Sequence, residues 1–106
     1  MALAKLVYNF SKALPADELY GLSSQMRRAA VSVSSNIAEG FYRGSNKEFK
    51  KFLGYAAGSA AELETQILLS VELGFCNNQK KLELVELISE VRKMLSAFIT
   101  KLNDQG

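Results

Sequence analysis

The stretch of sequence that decides the fold is residues 27–40, R-R-A-A-V-S-V-S-S-N-I-A-E-G. Its apolar residues follow helical spacing, which predicts a helix with one apolar face. The opposite face carries hydroxyl and amide side chains in place of the Lys and Glu of an ordinary solvent face. Four of these polar residues, at spacings of four, four and three, share one helical stripe: Arg28, Ser32, Asn36 and Glu39. Such a stripe either packs against a matching polar stripe or faces a partner.

The sequence on the amino-terminal side of this stretch predicts a first helix and sets the start of the second. Apolar residues at helical spacing cover residues 2–13, and Pro15 ends this first helix because proline disfavours helical geometry in the residue before it. The second helix contains the opening stretch. It begins either near Asp17, whose charge suits a first turn, or after Gly21, and it ends at or near Gly40.

Two more helices follow on the carboxyl-terminal side. Ser45 and Glu48 have the spacing of a capping box for the third helix, which continues to a left-handed stop at Gly74. Asn77 or Asn78 can cap the fourth. The apolar stripe of the fourth helix consists of Leu84, Leu87, Ile88, Val91, Leu95, Phe98 and Leu102. Because the connections are short, residues 1–106 are predicted to form one all-α, antiparallel, up-down four-helix bundle.

The polar stripe has a candidate partner on the third helix. Four residues there share a face: Tyr55, Ser59, Glu62 and Gln66. We expect Arg28 and Asn36 to pair with this face, since each polar group costs ~1–3 kcal/mol if it is buried alone. This predicts a network that fixes the register of the helices, in which loss of Glu62 costs on the order of 2–4 kcal/mol. The alternative is a ligand-binding or catalytic pocket.

The composition argues against an enzyme, a metal site and a cofactor site. The chain has no histidine and one cysteine, so it lacks the ligands of zinc and di-iron sites. No phosphate-binding glycine loop is present, and no carboxylate has an obvious nucleophile partner. No apolar run approaches the ~18 residues of a membrane span, and no signal peptide is recognisable. The lone Cys76 cannot form an internal disulfide, which favours the cytoplasm.

Small and apolar residues indicate close packing or assembly. Glycine and alanine recur at spacings of three and one on the third helix, at Gly54, Ala57, Gly58 and Ala61. A glycine inside a helix costs ~1 kcal/mol relative to alanine, so a compensating close approach is expected, either within the bundle or between subunits. Apolar residues also lie outside the main stripes of the third and fourth helices, and such surplus usually marks an interface: Leu68, Leu69, Leu73, Leu82, Val85, Met94 and Ile99.

The basic residues are unevenly distributed. Residues 1–53 hold eight Lys and Arg against four Asp and Glu, whereas residues 54–106 hold five against seven. Five basic residues are candidates for contact with nucleic-acid phosphates: Arg27, Arg43, Lys47, Lys50 and Lys51. The last four share one side of the chain, with Tyr42 beside them as a possible stacking ring. The alternative is an ordinary solvated helix face.

Three motifs carry a resemblance to a known family: N-I-A-E-G at residues 36–40, K-E-F-K-K-F-L at 47–53 and G-S-A-A-E-L-E-T-Q at 58–66. In this order and separation they resemble the bacterial four-helix-bundle family first noticed in intervening sequences of large-subunit ribosomal RNA genes. The accessory proteins of diversity-generating retroelements are similar to the same family. Members usually have a first helix about three turns longer than this one. The resemblance implies a ring-like homopentamer that contacts RNA or DNA and, in retroelements, a reverse transcriptase.

These observations predict a non-enzymatic, homo-oligomeric scaffold, with a pentamer as the expected state. Its assembled basic surface would contact RNA, DNA or a nucleoprotein enzyme. The competing hypothesis is a protein-interaction module with no affinity for nucleic acid. The net charge of one chain is only +2. A ring would repeat the basic patch once per subunit, which would strengthen binding to a nucleic acid and so favour the first hypothesis.

Overall fold

The computed structural model describes residues 2–12, 21–74 and 78–104. They contain no strand and form four helices: α1 (Ala2–Lys12), α2 (Leu22–Tyr42), α3 (Asn46–Glu72) and α4 (Asn78–Asp104). The prediction of four helices and no strand is therefore confirmed for this part of the chain. The predicted roles of Pro15, Asp17, Cys76 and Asn77 fall outside the described residues.

The start of α2 and the start of α3 agree with the sequence signals. Of the two predicted starts, α2 uses the later one, and begins directly after Gly21. Ser45 caps α3, because its hydroxyl accepts a hydrogen bond of 3.2 Å from the backbone N–H of Glu48. The end of α3 also follows the prediction, since Gly74 has a φ of 77° just after the helix.

Helix α2 ends near Gly40, as predicted, but Gly40 itself is not the glycine that terminates the helix. The helix continues to Tyr42, and the left-handed turn is made by Gly44, with a φ of 80°. Gly40 is buried where α2 meets α3. A Cβ atom on it would lie 2.7 Å from Cβ of Phe52 and 3.1 Å from Cδ1 of Phe49. The glycine therefore permits the close approach of the two helices and does not terminate one of them.

Neighbouring helices pack against each other in an antiparallel arrangement. Each helix contacts its neighbour in sequence, and α1 also contacts α4. The packed molecule measures 46 × 20 × 19 Å. Large, fully buried side chains from all four helices fill the interior: Val7, Leu22, Met26, Leu53, Leu63, Ile67, Ile88 and Leu95.

Helix α1 is too short to cover the whole bundle. Its 11 residues span roughly 16 Å, whereas the 21 residues of α2 span roughly 32 Å. Contacts of Ser11 with Ser23 and of Tyr8 with Arg27 fix their antiparallel register. This register places the start of α1 beside the middle of α2. Among the described residues no helix lies over the rest of the groove between α2 and α4, where Phe98 of the predicted core stripe is 44% exposed.

This arrangement divides the bundle into two regions, a covered half and an open end. The covered half is the part of α2 and α4 that packs with α1. The open end consists of residues 39–51 and 98–104, where the connection between α2 and α3 meets the last turns of α4.

Candidate functional site

A short chain of hydrogen bonds joins the polar stripes of α2 and α3. The hydroxyls of Ser32 and Ser59 lie 2.8 Å apart. Asn36 donates from Nδ2 to Oγ of Ser32 at 3.0 Å and to the backbone oxygen of Ser32 at 2.8 Å. All three residues are half-buried. These bonds fix the register of α2 on α3, because a one-residue shift would separate the two hydroxyls.

The charged members predicted for this network lie elsewhere. Arg28 and Glu62 are both exposed, and no ion pair joins them among the described residues. Glu39 is exposed and accepts a hydrogen bond of 2.6 Å from Nη2 of Arg43, one turn later. The physical reason is angular. At about 100° per residue, Arg28 and Glu39 lie about 40° and 20° around α2 from Ser32, on the side away from Asn36, so both turn away from the contact with α3.

Gln66 is buried, as the predicted network requires, but its pairing differs from the prediction. The residue is 6% exposed on the core side of α3. Its Oε1 atom has no hydrogen-bond partner among the described residues. The structure therefore groups Ser32, Asn36 and Ser59 together and leaves Arg28, Glu39, Glu62 and Gln66 outside that group.

Arg27 lies apart from the other candidate nucleic-acid residues. Its Nε donates a hydrogen bond of 2.7 Å to the hydroxyl of Ser11, and its guanidinium group sits 4.3 Å from the ring centroid of Tyr8. Ser11 is only 2% exposed. Since 16 residues separate Arg27 from Arg43, about 24 Å of helix lies between them. Arg27 therefore fastens α1 to α2, and sequence reasoning missed Tyr8 and Ser11 as its partners.

The other four candidates all lie at the open end. Arg43, Lys47 and Lys51 are exposed and Lys50 is half-buried. The guanidinium of Arg43 lies 5.1 Å from the ring centroid of Phe52 while it pairs with Glu39. Lys47 and Lys50 line a surface depression of about 220 Å³ next to Asn46 and Leu102. The structure therefore brings Lys47 and Lys50 together at one depression. Arg43 lies against Phe52 and Glu39, and Lys51 does not line this depression.

The open end also contains a cavity that sequence reasoning missed. Its volume is about 340 Å³, and three aromatic rings contribute to its lining, from Phe41, Phe49 and Phe98. The ring centroid of Phe49 lies 6.1 Å from that of Phe41 and 5.4 Å from that of Phe98, and both pairs have edge-to-face geometry. Phe98 was predicted as core. Its accessibility could not be read from the apolar pattern, because it depends on which helices pack against α4.

The aromatic cavity and the lysine depression are neighbours. Asn46 and Leu102 line both, and Lys101 of α4 adds a further cation at the rim of the aromatic cavity. Lys101 was not predicted as a site residue, since it lies 50 positions from Lys51 in the sequence. Only the packing of α4 beside the start of α3 brings them to the same end of the molecule.

The excess positive charge of the chain is located at the open end. Residues 39–51 and 98–104 hold five of the 13 Lys and Arg residues and three of the 11 Asp and Glu residues. Outside the open end, the charges of eight Lys and Arg residues and eight Asp and Glu residues cancel. The net charge of +2 is therefore entirely the charge of this end.

The described residues contain neither a metal-binding cluster nor a helix that could span a membrane. Within residues 2–12, 21–74 and 78–104, no cluster of three or more metal-ligating side chains is present. None of the described helices is long and apolar enough to cross a membrane.

The fold and its polar helix contacts define a small all-helical protein of four packed helices, and comparisons with known proteins identify its family. The chain belongs to the family described as 23S rRNA-intervening sequence protein, whose sequence model matches residues 1–97. The fold is similar to the crystal structure of a protein of unknown function from the S23 ribosomal protein family of Bacteroides thetaiotaomicron. The TM-score is 0.85 and the identity 24%, over 92% of each chain. Among curated proteins, no sequence matches this chain.

Proposed function

We propose that this protein is a non-enzymatic, cytoplasmic scaffold that assembles with itself and contacts RNA or DNA through its open end. The observation that carries the proposal is the location of the whole net charge at that end, on Arg43, Lys47, Lys50, Lys51 and Lys101. Lysine and arginine side chains bind nucleic-acid phosphates without reading sequence. An enzyme that acts on nucleic acid, such as a reverse transcriptase, would be a further partner of the same surface.

Self-assembly is supported by glycines that face away from the bundle. Gly54 and Gly58 lie in the interior of α3, yet a Cβ atom on either would meet nothing within 4 Å. Packing within the chain therefore does not compensate for the ~1 kcal/mol that each glycine costs a helix. Of the two explanations for this small-residue stripe, this observation favours a subunit contact.

Exposed apolar side chains support the same conclusion. Leu68 on α3 and Leu82 and Met94 on α4 are all exposed. Monomeric proteins seldom expose extended apolar patches, so a surface of this kind favours assembly. A pentamer is the subunit number that the family resemblance implies. Repetition of the open end around such an assembly would raise the affinity for a long nucleic acid through multivalency.

The first experiment measures assembly. Light scattering on the purified chain should give a mass several times 11.7 kDa. Gly58→Ala should lower this mass, because a methyl group would separate the facing subunits, while circular dichroism shows unchanged helix content. A monomeric parent protein at micromolar concentration contradicts the proposal.

The second experiment measures nucleic-acid binding by gel shift at low salt. The parent protein should bind RNA and DNA with little sequence preference. Its affinity should fall with salt, at a log–log slope of about −0.7 to −0.9 per phosphate neutralised. The triple variant Lys47→Ala, Lys50→Ala, Lys51→Ala should keep the assembly mass and flatten this slope.

A matched control separates the local surface from the total charge. Lys5→Ala, Arg28→Ala and Lys93→Ala together remove the same charge from exposed residues outside the open end. This control should keep most of the salt dependence. Equal weakening by both triple variants would mean that the open end has no special role.

Exposed apolar surface also favours a second candidate function, a protein-interaction module without affinity for nucleic acid. Phe41 and Tyr42 are 69% and 84% exposed, and aromatic residues are enriched at protein interfaces. This candidate predicts no gel shift at any salt concentration. An absence of binding to both RNA and DNA at low salt would therefore decide in its favour.

A further inference from the structure

We infer that the aromatic cavity at the open end receives an unpaired base of single-stranded nucleic acid while Lys47 and Lys50 hold the phosphates of the same strand. This inference rests on the proposed contact with nucleic acid. It adds a site, a ligand class and a preference for single strands, none of which follows from a basic surface alone.

The rings of the cavity are available to a ligand. Phe41 is 69% exposed and Phe98 is 44% exposed, although both lie on the apolar faces of their helices. With Phe49 between them they form a row of edge-to-face rings. Aromatic rings that face solvent provide stacking surfaces for bases, and every base has a π-face that can use them.

The size and lining of the cavity suit a group as large as a nucleobase. Its volume of about 340 Å³ is at the lower end of the ~300–1,000 Å³ range for small-ligand pockets. The side chain of Asn46 is exposed at its edge and offers both donors and an acceptor to the polar edge of a base. One amide is not enough to select a particular base, so recognition should tolerate different sequences.

The position of the lysines assigns the ligand class. Because the aromatic cavity and the lysine depression share Asn46 and Leu102, a group in the cavity lies next to Lys47 and Lys50. Lys101 also lines this cavity. A planar apolar group with anionic groups beside it is the repeating unit of a nucleic-acid strand. This charge complementarity favours a strand over an uncharged apolar peptide.

The cavity selects single strands because a duplex conceals its base faces. Bases within a duplex are stacked and paired, whereas bases of a single strand can be turned out and stacked on aromatic side chains. A duplex should therefore use only the phosphate contacts of the lysines. The difference in affinity between the single strand and the duplex therefore measures the contribution of the cavity to binding.

The test uses the full chain and fluorescence anisotropy with three labelled probes. They are an oligothymidine of about 12 nucleotides, a strand of the same length made of abasic units, and a duplex of the same length. The abasic strand keeps every phosphate and lacks every base. The parent protein should bind oligothymidine about 5- to 100-fold more tightly than the abasic strand, which corresponds to one or two stacked bases.

Variants then assign the preference to the cavity. Phe41→Ala should remove most of the preference for oligothymidine and leave the affinity for the abasic strand unchanged. Val31→Ala, which removes a side chain that is 55% exposed and lies outside the open end, should retain the preference. The triple lysine variant should weaken all three probes together. Circular dichroism and light scattering verify that the variants keep their fold and assembly.

Several outcomes would overturn the inference, and they differ from failure of the proposed function. Equal affinity for oligothymidine and the abasic strand, with a normal effect of the lysine variant, would leave a phosphate-binding surface with no base site. A change in assembly mass in Phe41→Ala without a change in base preference would show that the cavity is a subunit contact. Absence of binding to all three probes would reject the nucleic-acid function itself.

Discussion

The covered half and the open end of this bundle are built from the same helices, yet they present different chemistry. In the covered half, α1 closes the groove between α2 and α4, and Val7 and Met26 are fully buried. At the open end the groove continues without a covering helix among the described residues, and Phe41 and Phe98 face solvent. A continuous apolar face on α2 and α4 therefore serves as core in one region and as accessible surface in the other.

This difference shows that an apolar stripe indicates which face of a helix can be buried. The length of the stripe does not indicate how much of that face other helices cover. Met26 and Phe41 lie on the same side of α2, about four turns apart. One is fully buried and the other is 69% exposed. The apolar pattern of α2 does not distinguish the two positions, so their burial depends on which helices pack against α2 at each of them.

The largest expected effect is a difference in the loss of stability between substitutions at Met26 and at Phe41. Met26→Ala should lower the free energy of unfolding by about 2–5 kcal/mol, because it leaves a cavity in the covered half. Phe41→Ala should cost less than about 1 kcal/mol, since most of its ring is already in water. Urea denaturation followed by circular dichroism, at matched protein concentration, measures both. Equal losses would mean that Phe41 is covered in solution, for example by another subunit.

The next effect concerns two glycines in helices, of which one is packed and the other open. Gly40→Ala places a Cβ 2.7 Å from Cβ of Phe52, and overpacking outweighs the gain in helix propensity by about 1–2 kcal/mol. Gly58→Ala meets no atom within 4 Å and should raise stability by up to about 1 kcal/mol. Thermal unfolding should be compared at a concentration where both variants are dissociated. A stabilised Gly40→Ala variant would refute the close approach of α2 and α3.

A smaller effect tests how α1 is held in the covered half. Arg27→Ala removes the hydrogen bond to the buried hydroxyl of Ser11 and the contact with the ring of Tyr8. We expect a loss of about 1.5 kcal/mol. Arg43→Ala, which removes an exposed ion pair at the open end, should change stability by no more than about 0.5 kcal/mol. If the two arginine variants behave alike in chemical denaturation, α1 is not fastened by Arg27.

The smallest effect tests the contact between the polar stripes. Ser59→Ala removes the partner of the Ser32 hydroxyl and should cost about 1 kcal/mol. Glu62→Ala, one turn further along α3, should stay within about 0.5 kcal/mol because Glu62 is exposed. This replaces the larger loss that the sequence alone predicted for Glu62. A double variant of Ser32 and Ser59 that is less destabilised than the sum of the single variants would confirm their coupling.

Much of the candidate site could be predicted because it depends on local sequence. Lys47 and Lys50 are three residues apart at the start of one helix, so their shared depression follows from helical spacing. The pairing of Ser32 with Ser59 was also accessible, since two polar stripes on consecutive antiparallel helices can face each other. Arg27 was misplaced because its partners, Tyr8 and Ser11, lie on a different helix.

The sequence by itself determined the four helices, the cap at Ser45 and the left-handed stop at Gly74, because hydrophobic periodicity and terminal signals act over a few residues. Tertiary structure alone decided the role of Gly40, which depends on the distance between two helices. It also decided the exposure of Phe41 and Phe98 and the arrival of Lys101 beside the lysines of α3. These features require knowing which helix covers which, and a periodic pattern describes each helix without its neighbours.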